Sequence, residues 1–334
     1  MKLGDLSVAY VELLARAARA EGFDPVSVLE AYQLPASRLA LPGNRVSIPR
    51  FMRTGQALIE ASAAPWLGLR MGALTGPANL GLAGWIAHSA ATLRDACEAL
   101  VRYELLFSFN ARGRSAFIVE QGRGQLQFYS ISPYNEFNRF VVDSVLVGWM
   151  SVLNQACGEQ VVASVCVEFD APDYAEAYSR FIPCPVQFGA GCNALVLRDG
   201  TLERSLSHPC ASQFRYLCDL ADAELAQVRN GLSMAEQVAR AISPLLKGKT
   251  PELAEVAAQM GKPGWTIKRL LAAENTSFQT VLNDARRELA TCYLRETVLT
   301  MGEIAYLTGF GSATAFQRAF KRWTHETPRQ YRQL

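Results

Sequence analysis

The spacing of apolar residues separates this chain into two parts. Between residues 1 and 230, apolar positions recurring every three or four residues predict amphipathic helices at about 8–20, 50–62 and 92–106. The last opens with Thr92 and has Asp95 three residues on, the pattern of a reciprocal helix cap. The runs 114–120 and 125–130 alternate with period two around Gly122-Arg123-Gly124, which predicts a β-hairpin. A longer helix is expected over about 135–156 and a β-branched strand at 161–169; after residue 230 the pattern is helical. The fold expected is two domains: α+β over residues 1–230 and all-α over residues 231–334.

Length agrees with the division, because 334 residues exceed what one core organises at about 150 residues per domain. With 50% hydrophobic and 19% charged residues, both parts can bury enough apolar surface to offset chain entropy. The longest apolar run, 140–153, contains Asp143 and Ser144 and is shorter than the roughly 20 residues that span a bilayer. The N-terminus, Met1-Lys2-Leu3-Gly4-Asp5, is unlike a signal peptide, so no membrane partner and a cytoplasmic location are expected. Eight cysteines lack Cys-x-x-Cys spacing and only three histidines accompany them, which favours reduced, buried thiols over a metal site; no cofactor is called for. Charge differs between the parts. Residues 1–230 hold 19 Lys and Arg against 22 Asp and Glu, a net of −3, whereas 231–334 hold 14 against 9, a net of +5, and contain five of the six lysines. A basic second domain is the electrostatic footprint of a nucleic-acid partner.

That domain also repeats itself. At an offset of 48 residues Glu255-Val256-Ala257 recurs as Glu303-Ile304-Ala305, and the set Ala257, Gly261, Ile267 recurs as Ala305, Gly309, Ala315. A small residue, a glycine four positions on and an apolar residue ten positions on are what a helix-turn-helix needs. The small residue admits the second helix, the glycine takes the positive-φ turn position, and the apolar residue packs inward. The first unit is expected to open at Thr250-Pro251, a cap followed by proline at the first helical position, with its second helix from about Pro263. The other unit opens on Thr300-Met301-Gly302-Glu303, a capping box, with its later helix from near Ser312 and a buried stripe of Phe316, Phe320 and Trp323. Between them, Phe278, Val281, Leu282, Ala285, Leu289, Cys292 and Tyr293 keep a helical period over about 17 residues, hence about 25 Å of rigid spacer. Successive major grooves on one face of a duplex lie about 34 Å apart, so two such helices on one spacer suit adjacent grooves.

Residues 251–331 resemble the DNA-binding domain of the AraC/XylS regulators. The resemblance rests on Ile304-Ala305-Tyr306-Leu307-Thr308-Gly309-Phe310, on Ala315-Phe316-Gln317-Arg318-Ala319-Phe320-Lys321-Arg322-Trp323-Thr324, and on Pro328-Arg329-Gln330-Tyr331-Arg332. The first unit resembles the family more loosely, through Gly261, Thr266, Ile267, Lys268, Arg269 and Leu271. The stretches Trp66-Leu67-Gly68-Leu69-Arg70-Met71-Gly72, Leu80-Gly81-Leu82-Ala83-Gly84-Trp85, Thr92-Leu93-Arg94-Asp95-Ala96 and Leu100-Val101-Arg102-Tyr103 resemble the effector domain of one subgroup, that of the ornithine-utilisation regulator. Membership implies a regulator that binds double-stranded operator DNA, contacts RNA polymerase, forms a homodimer and answers to a small-molecule effector; it names no ligand.

The exposed positions of the two predicted reading helices are the candidate DNA contacts: Trp265, Thr266, Lys268 and Arg269 in the first, and Ser312, Ala313, Thr314, Gln317 and Arg318 in the second. Arginine pairs two-pronged with guanine, glutamine with adenine, and a hydroxyl at a helix start suits a phosphate. Lys321 and Arg322, with Lys262 and Arg329, are assigned to the phosphate backbone, and each of these charges is equally a solvated helix face. Trp265 either rests in the groove or closes the core. In the N-terminal domain Trp85, Phe107, Phe109, Phe117, Phe128, Tyr134 and Phe137 either line a pocket, with His88, Tyr103 or Arg139 as polar anchors, or fill the core. Trp85, His88, Tyr103, Tyr134 and Arg139 are the candidate effector contacts, and Trp149 with its apolar helix is a candidate dimer surface. Two alternatives stand beside the effector-controlled regulator. One is a regulator whose N-terminal domain only dimerises. The other is a DNA-repair enzyme, since related methyltransferases carry a similar helical domain behind a cysteine-ligated zinc, but this chain lacks the clustered cysteines and a Gly-x-Ser-x-Gly elbow or phosphate loop.

Overall fold

The computed structural model of the chain describes residues 4–332 except 42–43, 111–112, 131–133, 135–137, 231 and 298. The backbone divides between residues 226 and 227, inside the helix Ala211–Asn230, into two compact units.

The first unit, Asp5–Phe109 with Arg114–Ala226, is α+β. Its spine is the helix Arg139–Cys157, buried along most of its length, which makes it apolar on nearly every face rather than amphipathic. Length and composition alone would let this helix cross a bilayer, but two-thirds of its apolar window is buried inside the fold. The helix Leu67–Ala73 lies against it so closely that a Cβ on Gly68 would sit 2.4 Å from the Phe140 carbonyl oxygen and one on Gly72 2.5 Å from the Val147 Cβ. These glycines of the Trp66-to-Gly72 motif are therefore packing devices. A five-stranded sheet covers another side of the spine, in spatial order Ala116–Glu120, Arg123–Phe128, Asn193–Leu197, Val162–Cys166 and Val186–Gln187; only the last pair runs parallel. A smaller sheet joins Arg45–Ser47, Gly4–Ser7 and Ser108–Asn110.

Several expectations shift in detail. Helices occupy Ala9–Ala20 and Ile48–Ser62, and Thr92 and Asp95 form the reciprocal cap, with the Asp95 amide donating to the Thr92 hydroxyl at 3.2 Å. That helix ends at Arg102, because Tyr103 turns inward, 1% exposed, and donates its hydroxyl to Asp222 at 3.0 Å; a separate turn, Glu104–Phe107, follows. The hairpin reverses at Gln121-Gly122, both at positive φ as a two-residue turn requires, and not around Gly122-Arg123-Gly124. Gly124 is a strand residue whose missing side chain makes room for Leu202, since a Cβ there would lie 2.7 Å from its Cδ2. The β-branched strand is shorter than expected, Val162–Cys166, and the start of the expected 135–156 helix falls partly outside the described residues. Trp149 is not a dimer contact: it is 2% exposed and meets the Phe128 ring edge-on at 5.9 Å. Of the eight free cysteines only Cys97 is fully buried; the others are half-buried, so the expectation of uniformly buried thiols is corrected.

A carboxyl group sits in the core of this unit. Asp143 on the spine is 2% exposed and accepts the hydroxyls of Tyr178 at 2.5 Å and Tyr174 at 2.9 Å. Burial pushes its carboxyl up to about 7, although both tyrosines and Arg139 act to lower it. In the unfolded chain an aspartate titrates near about 3.9, so the fold holds this proton more tightly than the unfolded chain does. Its contribution to stability is therefore full at acid pH and lost as pH rises through about 7. Urea unfolding at pH 5 and pH 8 should show a loss of stability over that interval, and the Asp143→Asn variant should show a smaller one.

In the second unit the described residues of Gln227–Leu334 form helices joined by turns and short loops. Its helices are Met234–Ile242, Leu253–Met260, Gly264–Ala273, Phe278–Glu296, Met301–Leu307, Ala313–Thr324 and Pro328–Arg332. The fourth, at 19 residues, is about 28 Å long at 1.5 Å per residue and packs against elements on both sides of it in the sequence.

Candidate nucleic-acid interface

Each half of the 48-residue repeat folds as helix, turn, helix. Gly261 has φ +61° and Gly309 φ +74°, so both glycines occupy the left-handed turn position the spacing predicts. Ala257 and Ala305 are buried behind them, and Ile267 packs inward as the spacing predicts; its counterpart Ala315 is only half-buried, and the next residue, Phe316, anchors the second helix instead. The starts differ in how they are capped. Thr300 and Glu303 form the predicted capping box, with the Glu303 amide donating to the Thr300 hydroxyl at 3.2 Å, and Ser312 accepts from the Ala315 amide at 3.2 Å. The first unit does not open at Thr250-Pro251. Its cap is Glu252, whose amide donates to Glu255 at 2.8 Å, while the Thr250 hydroxyl points to the Gly309 carbonyl.

The two turns are not equally constrained. A Cβ at Gly261 meets nothing within 4 Å, whereas one at Gly309 would sit 2.6 Å from the Lys249 carbonyl oxygen and 2.7 Å from a Leu246 methyl. Across the Gly309 turn lies Arg286 of the Phe278–Glu296 helix, a guanidinium only 7% exposed. Its Nε and Nη2 donate to the carbonyls of Thr308 and Gly309, both at 2.8 Å, and its charge lies 3.7 Å from the centre of the Phe310 ring. Desolvation lowers this arginine to about 10, which still leaves it charged at neutral pH. Phe310 in turn meets Phe316 and Trp323, each at 5.8 Å, so the buried stripe of Ala313–Thr324 is keyed to the same ring. In the first unit, Glu274 at the end of Gly264–Ala273 accepts from the amides of Met234 and Ala235 at 2.6 and 2.9 Å, fixing that helix against Met234–Ile242. Arg286 and Glu274 were not among the sequence candidates. A signal existed for Arg286, which occupies a stripe position between Leu282 and Leu289 where an apolar residue is the rule.

With the cores filled, the predicted contact residues are left outside. On Gly264–Ala273, Trp265 is 67% exposed and therefore does not close the core; its ring carries Arg269 at 5.8 Å. Lys268 and Arg269 are exposed and Thr266 is half-buried. On Ala313–Thr324, Thr314, Gln317, Arg318, Lys321 and Arg322 are exposed, Ala313 is half-buried and Ser312 is the exposed cap. Each helix thus presents hydroxyl, amide or cationic groups on one face and seals the other, the chemistry that duplex base edges and phosphates require.

Residues 22–206 match the family described as the arabinose-binding domain of AraC transcription regulators, and residues 256–334 match a helix-turn-helix domain family. The chain belongs to the AraC family of transcription regulators. The ornithine utilization regulator of Pseudomonas aeruginosa is 26% identical over 330 residues, 98% of this chain and 96% of that protein. The regulator VirS of Mycobacterium tuberculosis is 27% identical over 355 aligned positions, 99% of this chain and 98% of that one. The solved structure of the regulator CdpR from Pseudomonas aeruginosa is similar over 93% of this chain and 97% of that one, with a TM-score of 0.45 and 21% identity.

In this AraC-family chain the five candidate effector residues have different surroundings. Trp85, 43% exposed, and His88 are neighbours at 6.1 Å, with His208 a further 6.0 Å from His88. Tyr103 is a core residue tied to Asp222. Tyr134 donates to Glu168 and accepts from the amide of Asn193 at 2.7 Å, at the end of the five-stranded sheet. Arg139, half-buried, starts the spine helix one turn before Asp143. Phe107 lies in the core and Phe128 against Trp149; Phe137 lies outside the described residues.

Two measurements test the turn architecture. Gly261→Ala should cost about 1 kcal/mol from backbone strain alone, and Gly309→Ala distinctly more, because the added methyl also meets backbone; urea midpoints rank the two. Replacing Arg286 with Met should cost about 3 kcal/mol by removing the hydrogen bonds to the Thr308 and Gly309 carbonyls, the second of which keeps only the long contact from the Thr250 hydroxyl, with Arg286→Lys between Met and wild type, read from the same transition.

Proposed function

We propose that this regulator reads operator DNA with both exposed helix faces at once, Gly264–Ala273 in one major groove and Ala313–Thr324 in the next. The observation that carries this is the repeated glycine turn. Each turn is followed by a helix whose polar, largely cationic face is left free, and the two units flank one 19-residue helix. Arg269, Arg318 and Gln317 address base edges; Thr266, Ser312, Thr314, Lys268, Lys321 and Arg322 address sugar and phosphate; Trp265 supplies an apolar contact to a thymine methyl or a sugar. The N-terminal unit senses a small molecule or joins two copies of the chain, and the protein works in the cytoplasm as a homodimer that engages RNA polymerase at the promoter. The named relatives and the N-terminal family support a sensing role. A domain that only dimerises is favoured by Tyr103 and Tyr134, whose hydroxyls are already satisfied inside their own unit.

Selection of duplexes from a random pool by the full chain should return a two-part site with half-sites about 10 base pairs apart. Against that site Arg318→Ala and Arg269→Ala should each weaken binding by about 1–3 kcal/mol with the melting temperature unchanged. Unaltered affinity in both variants would remove these residues from the interface.

A further inference from the structure

Beside the outward face of Ala313–Thr324 lies a cleft of about 730 Å³, bounded on its far side by the last helix, Pro328–Arg332. Four cations line it, Arg318, Lys321, Arg329 and Arg332, and no carboxylate of the described residues does. Arg318, Lys321 and Arg329 form no ion pair among the described residues, and Lys321 and Arg329 are exposed. Arg332 stands behind them. One arm of its guanidinium is fastened to the Leu299 carbonyl, while its Nε is buried without a hydrogen-bond partner among the described residues, and burial lowers its basicity. The walls are rigid. His325 reverses the chain at φ +64°, and Thr327 and Gln330 bind each other reciprocally, the Thr327 hydroxyl donating to Gln330 at 2.7 Å.

We propose that this cleft is a seat for one phosphodiester of the operator backbone. The inference rests on the DNA-reading role of Ala313–Thr324 and adds where that helix is fastened. Unpaired like charges around a concavity repel one another, and a singly charged, oxygen-rich group relieves that repulsion. The cleft shares Gln317, Arg318 and Lys321 with the base-facing surface. A helix lying in a major groove about 12 Å wide therefore brings the cleft against the strand that walls the groove. Lys321 and Arg329 grip the phosphate from the two helices and fix the helix's depth and rotation, while Arg318 and Gln317 remain free for bases.

The test is fluorescence anisotropy of the full chain with a duplex it selects and with an unrelated duplex, across a range of salt concentrations. Arg329→Ala and Lys321→Ala should each weaken both duplexes by the same factor, about 3- to 10-fold, and each should reduce the slope of log affinity against log salt by about one. Arg269→Ala, in the other unit, serves as the comparison and should lower affinity for the selected duplex alone. If the cleft variants keep wild-type affinity and slope while Arg269→Ala loses discrimination, the seat is wrong and the reading role stands. Loss confined to the selected duplex in Arg329→Ala makes the cleft a base reader and overturns the proposal. So does a thermal shift with inorganic phosphate that Arg329→Ala abolishes while the DNA salt slope stays unchanged. A wild-type chain that retains no duplex overturns both readings.

Discussion

The geometry of the DNA-facing domain hangs on a guanidinium with no carboxylate among its hydrogen-bond partners. Taking the Arg286 charge out of water costs several kcal/mol, which hydrogen bonds and contacts of the planar group must offset. Here two N–H groups meet the carbonyls of Thr308 and Gly309, and one face meets Phe310. Those carbonyls follow the helix Met301–Leu307, where the backbone dipoles leave negative charge, so the arginine sits at the favourable end of that helix. Because the same ring packs on Phe316 and Trp323, the turn and the second reading helix take their position from the linker helix through one residue. The outward face of that helix can then vary without disturbing the pose.

The first unit solves the same problem with the opposite charge. Glu274 places its carboxylate on the free amides that open Met234–Ile242, the positive end of a helix. Each unit is thus docked by a charged side chain matched to a helix terminus, a carboxylate at an N-terminus and a guanidinium at a C-terminus. The symmetry of the repeat does not extend to rigidity. Gly261 turns in open space and is required only for its φ, whereas Gly309 is wedged against the Lys249 backbone and enclosed by Arg286. The second unit is therefore the more tightly determined of the two, consistent with its fuller match to the family's sequence pattern.

What the sequence makes legible is what local chemistry decides. The glycine turns, the Thr300–Glu303 box and the Ser312 cap were readable because each is settled within a few residues. Thr250-Pro251 misled because Glu255 reaches back to Glu252 and moves the cap two residues. The hairpin turn slipped because Gly122 and Gly124 look equivalent locally; Gly124 pairs with Val119 in the ladder, beneath Leu197 and Leu202 from distant segments. The spine helix was visible as an apolar run, but a helix buried on all sides has no polar face to reveal what it packs against, so Trp149 read equally well as surface or core. The N-terminal polar groups were the least legible, since Tyr134 finds Glu168 and Asn193 beside different strands whose adjacency no spacing announces.

Net charge is a blunt summary of how the DNA-facing domain presents itself. Of its cations, Lys249 is paired with Glu255 at 2.6 Å, Arg287 with Asp284 at 3.0 Å, and Arg286 is enclosed by carbonyls. A cation paired with a carboxylate projects little net field into solvent at physiological ionic strength, where screening acts over about 8 Å. Lys268, Arg269, Arg318, Lys321, Arg322 and Arg329 are exposed and form no ion pair among the described residues, and all six belong to the two reading helices or the cleft beside the second. Unpaired positive charge is therefore gathered on the two helix faces proposed to meet DNA, although the formal surplus of 231–334 is only five. Pairing Lys249 and Arg287 with carboxylates leaves a larger share of the modest excess on these helix faces, so a chain with a net charge of +2 can still turn a cationic face to a polyanion.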